Sequence, residues 1–180
     1  MTSIGPFGGP VSCVTIDPNN PSTIYSCVGN AFKSTNAGDD WSALDVDSTA
    51  LVINPQDSNT IYAANSRGVS KSTDGGASWA RLSLTLPIAL LAIDSAEPND
   101  VYAVCRAFDP SFWGLYKSID GGGTWARINL SNQFIQAIAL DPNHSGIAYV
   151  SILRPENGVL KSSDGGISWF EASAGLPSRS

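Results

Sequence analysis

Lys117-Ser118-Ile119-Asp120-Gly121-Gly122-Gly123-Thr124-Trp125 is the fullest of four copies of one phrase. The others are Lys33-Ser34-Thr35-Asn36-Ala37-Gly38-Asp39-Asp40-Trp41, Lys71 to Trp79, and Lys161 to Trp169. Their tryptophans stand at 41, 79, 125 and 169, so the copies recur every 38, 46 and 44 residues. Each phrase has the chemistry of a tight turn. The carboxylates of Asp74, Asp120 and Asp164 can accept hydrogen bonds from the turn's own N–H groups, the glycines supply positive φ, and the tryptophan covers the turn. The first copy departs, with Asn36 for Asp, Ala37 for Gly and Asp40 for Ser or Thr; it is expected to form the least ordered turn.

Working upstream, each turn is preceded by an apolar run and then a run built around a tyrosine. These are Val11 to Ile16 with Ile24-Tyr25, Leu51 to Ile53 with Ile61-Tyr62, Ala89 to Ile93 with Val101-Tyr102, and Ala137 to Leu140 with Ala148-Tyr149. The links between the two runs, such as Asp17-Pro18-Asn19-Asn20-Pro21-Ser22, are made of turn-forming residues. The runs are therefore hairpins. If Ile16 faces Ile24, Cys13 faces Cys27, and the same rule pairs Ala50 with Ala64, Leu90 with Val104 and Ala137 with Ser151. With a third strand ending at the Lys-Ser pair and a fourth starting at the tryptophan, every module has four short strands. Modules of this length and content are the blades of an all-β fold, a β-propeller of four four-stranded antiparallel blades. They span about residues 11–45, 50–86, 88–130 and 134–175 of one domain.

The stretch Ser118-Ile119-Asp120-Gly121-Gly122-Gly123-Thr124-Trp125 resembles the Asp-box, or bacterial neuraminidase repeat. The matching structural positions are Ser72, Asp74, Gly76 and Trp79 in the second module, Ser118, Asp120, Gly122 and Trp125 in the third, and Ser162, Asp164, Gly166 and Trp169 in the fourth. Whole modules are similar to those of photosystem II assembly factor-like proteins, sortilin-type ectodomains and xyloglucanase-type propellers. The resemblance implies a propeller and favours an extracytoplasmic location. It leaves the activity open, because that blade serves hydrolases, receptors and assembly factors alike.

Composition narrows the partners. The formal net charge is −6 with no basic cluster, which speaks against nucleic acid, whose phosphates need grouped Lys and Arg. The longest apolar stretch, Leu86 to Ile93, contains a proline and is too short to insert in a membrane. The start, Met1 to Pro6, lacks the basic and apolar segments of a signal peptide. No cofactor or metal motif is present, and the single histidine, His144, falls in a hairpin turn. Cys13 and Cys27 occupy facing positions within bonding distance. Because the equivalent positions in other modules hold Ala, Leu, Val or Ser, the preferred reading is that both thiols are free in small buried sites, as is Cys105.

Four modules are few for a ring. The chain is either a four-bladed ring, half of an eight-bladed ring completed by a second identical chain, or a piece of a longer protein. An open arc would expose apolar blade faces and invite association. The homodimer of half-rings is therefore the expected state.

In an antiparallel blade the strand 1–2 and 3–4 turns share one face of the disc, and the 2–3 loops and inter-blade links share the other. The repeats occupy the first face, so ligand-binding candidates belong to the second. Module three inserts Arg106 to Gly114 there, with Phe108, Asp109, Phe112 and Trp113. Trp113 is the only tryptophan outside a repeat position. Its ring is available either to stack on a sugar or peptide, or to hold down its own loop. Arg67, Arg106 and Arg154 follow their tyrosines by four or five residues, and converging guanidinium groups would clamp a carboxylate; the alternative is solvated arginines at loop starts. A sialidase-like site lacks its nucleophile here, since Tyr25, Tyr62, Tyr102 and Tyr149 are repeat positions. For a glycoside hydrolase of the xyloglucanase type the available acids are Asp109 and Glu156, with Asp47 in a link. The reading preferred is a non-catalytic module that binds carbohydrate or protein. The alternatives are a hydrolase fragment and a structural scaffold.

Overall fold

The computed structural model describes residues 10–153 and 158–176. Blade one contains β1 (Cys13–Ile16), β2 (Ile24–Ser34) and β3 (Ser42–Ser48); blade two contains β4 (Ala50–Asn54), β5 (Asp57–Asn65), β6 (Gly68–Ser72) and β7 (Ala80–Arg81). Blade three contains β8 (Ile88–Ile93), β9 (Val101–Cys105), β10 (Gly114–Ser118) and β11 (Ala126–Arg127); blade four contains β12 (Ile135–Leu140), β13 (Ala148–Ile152), β14 (Gly158–Ser162) and β15 (Phe170–Glu171). Each sheet is an antiparallel meander in chain order. Blade one counts three strands only because β2 runs unbroken through Gly29, whose φ is 81°. It doubles back there. Lys33 Nζ lies 5.4 Å from the Tyr25 ring, whereas eight residues of straight strand would separate them by about 26 Å.

The hairpin registers are those the repeats require: Cys13 pairs with Cys27, Ala50 with Ala64, Leu90 with Val104, and Ala137 with Ser151. The third strands end at Ser34, Ser72, Ser118 and Ser162. The outer strands begin one residue after each tryptophan rather than at it, because the indole N–H is turned back onto the turn's own carbonyl.

That turn is one construction repeated. Ser118 Oγ donates to Asp120 Oδ1 (2.7 Å) and accepts from Gly122 N (2.8 Å); Asp120 Oδ1 accepts from Thr124 N (2.8 Å); Trp125 Nε1 donates to Gly122 O (3.1 Å). Gly121 and Gly122 have φ of 67° and 94°, which glycine adopts without steric cost. Blade one builds the same turn from different groups. Asn36 Oδ1 accepts from Ser34 Oγ and Asp40 N (2.9 Å each), its Nδ2 donates to Asp40 Oδ2 (2.9 Å), and Ala37 takes the positive φ, 59°. Asn is isosteric with Asp, so the turn closes, with donor and acceptor exchanged between Asn36 and Asp40 relative to the Ser78–Asp74 pair of blade two.

The cysteines correct the sequence reading. Cys13 and Cys27 form a disulfide, with Cα atoms 4.9 Å apart, while Cys105 is a free buried thiol. Burial raises the Cys105 pKa. The comparison with other modules established that the position is small and buried, which a disulfide satisfies as well as a thiol does.

The cores lie between blades. Tyr25, Cys27 and Ala31 meet Leu51, Ile53 and Ile61; Tyr62 and Val69 meet Ile88, Leu91 and Val101; Tyr102, Val104 and Leu115 meet Ile135 and Val150. Fully buried aliphatics such as Ile61, Val69 and Ile135 contribute about 1.5–3 kcal/mol each. Polar stitches reinforce the seams at the strand 1–2 turns: Ser58 Oγ donates to Asp17 Oδ1 (2.7 Å) and Ser145 Oγ to Asp94 Oδ2 (2.8 Å). Among the described residues, no apolar core joins blade four to blade one.

Candidate functional site

On the face opposite the glycine-rich turns, the 2–3 hairpins and inter-blade links enclose an open cleft of about 480 Å³. Asn30 and Asp47, cross-strand partners in β2 and β3, enter it from blade one rather than Asp47 from a link as the sequence suggested; Arg67 comes from blade two, Pro87 from the link that follows, and Ile88 and Arg106 from blade three. The lining thus combines apolar residues with amides, a carboxylate and two guanidinium groups.

The rim is held by its own hydrogen bonds. Asn65 Nδ2 donates to Asp47 O (2.8 Å), Asn65 Oδ1 accepts from Arg67 N (2.7 Å), and Arg67 Nη1 lies 3.4 Å from Asp47 Oδ2. Both partners of this ion pair are exposed, with 72% and 56% of their side-chain surface accessible. Water screens such a pair, so Arg67 can exchange it for a ligand at little cost. Arg106 is more committed. Its Nε and Nη2 donate to the carbonyls of Ile135 and Gln136 (2.8 and 2.7 Å), and its guanidinium carbon sits 5.2 Å from the Phe134 ring centroid. Burial pulls its pKa down from the ordinary arginine value. Arg67 and Arg106 therefore border one cleft, each already bonded within the fold. Arg154 and Glu156 lie outside the described residues.

The insertion of blade three divides into an anchor and an exposed tip. Trp113 Nε1 donates to Ala107 O (2.7 Å), closing the loop on itself, and the ring meets Phe134 edge-on at 5.0 Å. Asp109 caps a short 3-10 turn, Pro110–Phe112, by accepting from Ser111 N at 2.8 Å. That bond holds the Asp109 carboxyl below its ordinary pKa. A general acid at neutral pH needs the opposite shift. Phe112 is half exposed and Phe108 wholly so, two residues from the cleft wall at Arg106.

Sequence reasoning chose the correct face for the 2–3 loops but did not find Asn30, Asn65, Pro87 or Ile88 as cleft residues. Their only local signal is their place beside a 2–3 turn or an inter-blade link. Phe134, the partner of both Arg106 and Trp113, was missed for the same reason. Among the described residues no group of three or more His, Cys, Asp or Glu side chains could hold a metal, and no helix is long and apolar enough to cross a membrane.

The class defined by these sheets is a β-propeller array of four blades. Its solved neighbours agree. An ancestral GH74 enzyme matches with a TM-score of 0.77 and 26% identity over 90% of this chain and 24% of its own. The GH74 enzyme of Niastella koreensis matches with a TM-score of 0.74 and 20% identity over 89% of this chain and 30% of its own. YCF48 from Cyanidioschyzon merolae matches with a TM-score of 0.62 and 16% identity over 92% of this chain and 56% of its own. The chain thus spans about a quarter to a little over half of the length of these neighbours. No family model and no curated protein matches it.

Proposed function

We propose that this chain is a non-catalytic Asp-box propeller module that binds polysaccharide in the cleft on its 2–3 face. The cleft itself carries the reading. It brings Asn30, Asp47, Asn65 and Arg67, four groups able to hydrogen-bond hydroxyls, together with Pro87 in one lining, and the exposed Phe108 ring stands two residues along the chain from the lining residue Arg106. An unpaired aromatic ring next to polar groups is what a sugar's apolar face and its hydroxyls require. The Ser-Asp-Gly-Trp hydrogen bonds of the turns support reading them as Asp-boxes with a scaffold role. Likeness to GH74 enzymes, one of them a GH74 xyloglucanase from Xanthomonas campestris at 17% identity and a TM-score of 0.57, supports xyloglucan as the first probe. The disulfide supports a location outside the reducing cytosol.

The test is affinity electrophoresis in gels containing xyloglucan, with starch as the control polymer. Retardation by xyloglucan alone is expected, weakened roughly tenfold by Phe108→Ala and by Arg67→Ala, about 1.4 kcal/mol each. No retardation by any glycan, or variants that run as the wild type does, would remove the cleft as a sugar site. Release of reducing ends by the chain would replace binding with the hydrolase reading.

A further inference from the structure

The three junctions between blades share one set of contacts. Tyr25 Oη and Lys33 Nζ both donate to the carbonyl of Gly75, at 3.4 and 2.9 Å. Tyr62 and Lys71 donate to Gly121 O at 3.0 and 2.9 Å, and Tyr102 and Lys117 to Gly165 O at 3.2 Å each. Each lysine also lies 5.0–5.4 Å from its tyrosine's ring centroid. A blade therefore ends in a Tyr-Lys clamp, and the next blade offers it the carbonyl of a positive-φ turn residue.

Blade four carries the same clamp, with Lys161 Nζ 5.5 Å from the Tyr149 ring, and no carbonyl faces it among the described residues. Tyr149 is 37% exposed, against 1% for Tyr25, Tyr62 and Tyr102. Strand pairing sets Tyr149 opposite Lys161 and Lys161 opposite Phe170, so the three share one face. There the other blades hold Ala80, Ala126 or Ser42 in place of the exposed Phe170. Among the described residues, blade one is bare on its opposite side. Val14 and Ile16 are 64% and 56% exposed, whereas the matching Leu51 and Ile53 of blade two are 4% and 5% exposed against blade one. Ala37 stands where Gly75, Gly121 and Gly165 stand; its N–H is bonded to Ser22 O at 2.9 Å, as the Gly75 N–H is to Asn59 O at 3.0 Å. A Cβ at Gly121 would meet Lys71 Nζ at 3.1 Å, the movable end of a long side chain, so the methyl of Ala37 requires only a small shift of an incoming lysine.

We propose that these two faces dock on each other between two copies of this chain. The Tyr149-Lys161 clamp of each copy takes the Ala37 carbonyl of the other, and Tyr149 and Ser151 lie against Val14 and Ile16 as Tyr25 and Cys27 lie against Leu51 and Ile53, closing a ring of two half-rings. The contact is head-to-tail, and two such contacts related by a two-fold axis leave neither face open. The donors of one end match the acceptor and apolar surface of the other because that match is already made three times inside the chain. The proposal is independent of what the cleft binds.

Sedimentation equilibrium of the whole chain over micromolar concentrations tests it. The expected mass is twice the 18.8 kDa of one chain. Val14→Asp places a charge on a surface that is exposed in the single copy, and should return a folded 18.8 kDa species with the dissociation constant raised by two orders of magnitude or more. Tyr149→Phe, which removes one hydroxyl from each of the two contacts, should raise it by about fivefold to a hundredfold. Circular dichroism melts check that both variants fold. A wild-type monomer throughout would assign the faces to blades outside this chain and overturn the proposal. So would masses rising past the dimer, or a dimer indifferent to both substitutions.

Discussion

Gly68 opens β6 with φ of 126°, and an added Cβ would lie 2.2 Å from Leu84 O and 2.8 Å from Thr85 Cα. Both contacts are backbone, so no side chain can rotate away. Gly68→Ala therefore incurs three penalties. The left-handed backbone costs about 1–2 kcal/mol. Overpacking against the link costs about 1–3 kcal/mol. Displacing Leu84 breaks its carbonyl's hydrogen bond from Val69 N, now 3.1 Å, for about 0.5–1.5 kcal/mol. Together they come to about 2.5–6.5 kcal/mol. Gly29 separates the terms, since its φ is 81° but a Cβ there meets nothing within 4 Å. Gly29→Ala should cost only the conformational part, about 1–2 kcal/mol. Urea unfolding of the two variants at unchanged m-value measures the difference. Equal losses, or a Gly68→Ala cost below about 1 kcal/mol, would refute the close approach of the link to the hairpin.

Three further outcomes follow from the same geometry. Ser118→Ala should destabilise by about 1–3 kcal/mol in urea, because the buried Gly122 N–H loses its acceptor. Acid should loosen the turns: hydrogen bonds, chiefly from the Ser78 side chain, the Thr124 backbone and the Ser168 side chain, lower the pKa of Asp74, Asp120 and Asp164 to about 2. A depressed carboxyl stabilises fully above its unfolded value of 3.8 and loses that contribution as pH falls toward 2, so melting temperatures should drop across that window and level above it. Without reductant, alkylation of the unfolded chain should label Cys105 alone, and Cys13→Ser with Cys27→Ser should cost about 3 kcal/mol, the loop-closure value for a 14-residue separation.

The repeats made the fold legible because each copy tests the others: one pairing rule accounts for four hairpin registers, and departures such as Asn36 are visible against the consensus. The same consensus hides Cys13 and Cys27, which look like variants of a small buried position although directly paired strand positions are also where two sulfurs meet. The face bearing the 2–3 loops followed from antiparallel connectivity alone. The cleft did not, because the Asn30–Asp47 pair of blade one, Asn65 and Ile88 come from three blades and meet only through the angle between them. Trp113 shows the same limit: its role depends on Phe134, which the insertion's own sequence does not contain.

The claim on which the functional reading rests is that ligand binds at the interruptions of the repeat and not at the repeat itself. Amide chemical-shift mapping during titration with xyloglucan oligosaccharide tests it at single-residue level. The expected shifts cluster at Asn30, Asn65, Arg67, Ala89 and Arg106, while Asp74, Asp120 and Asp164 stay unmoved. Shifts centred on the glycine-rich turns, or none at saturating oligosaccharide, would contradict it.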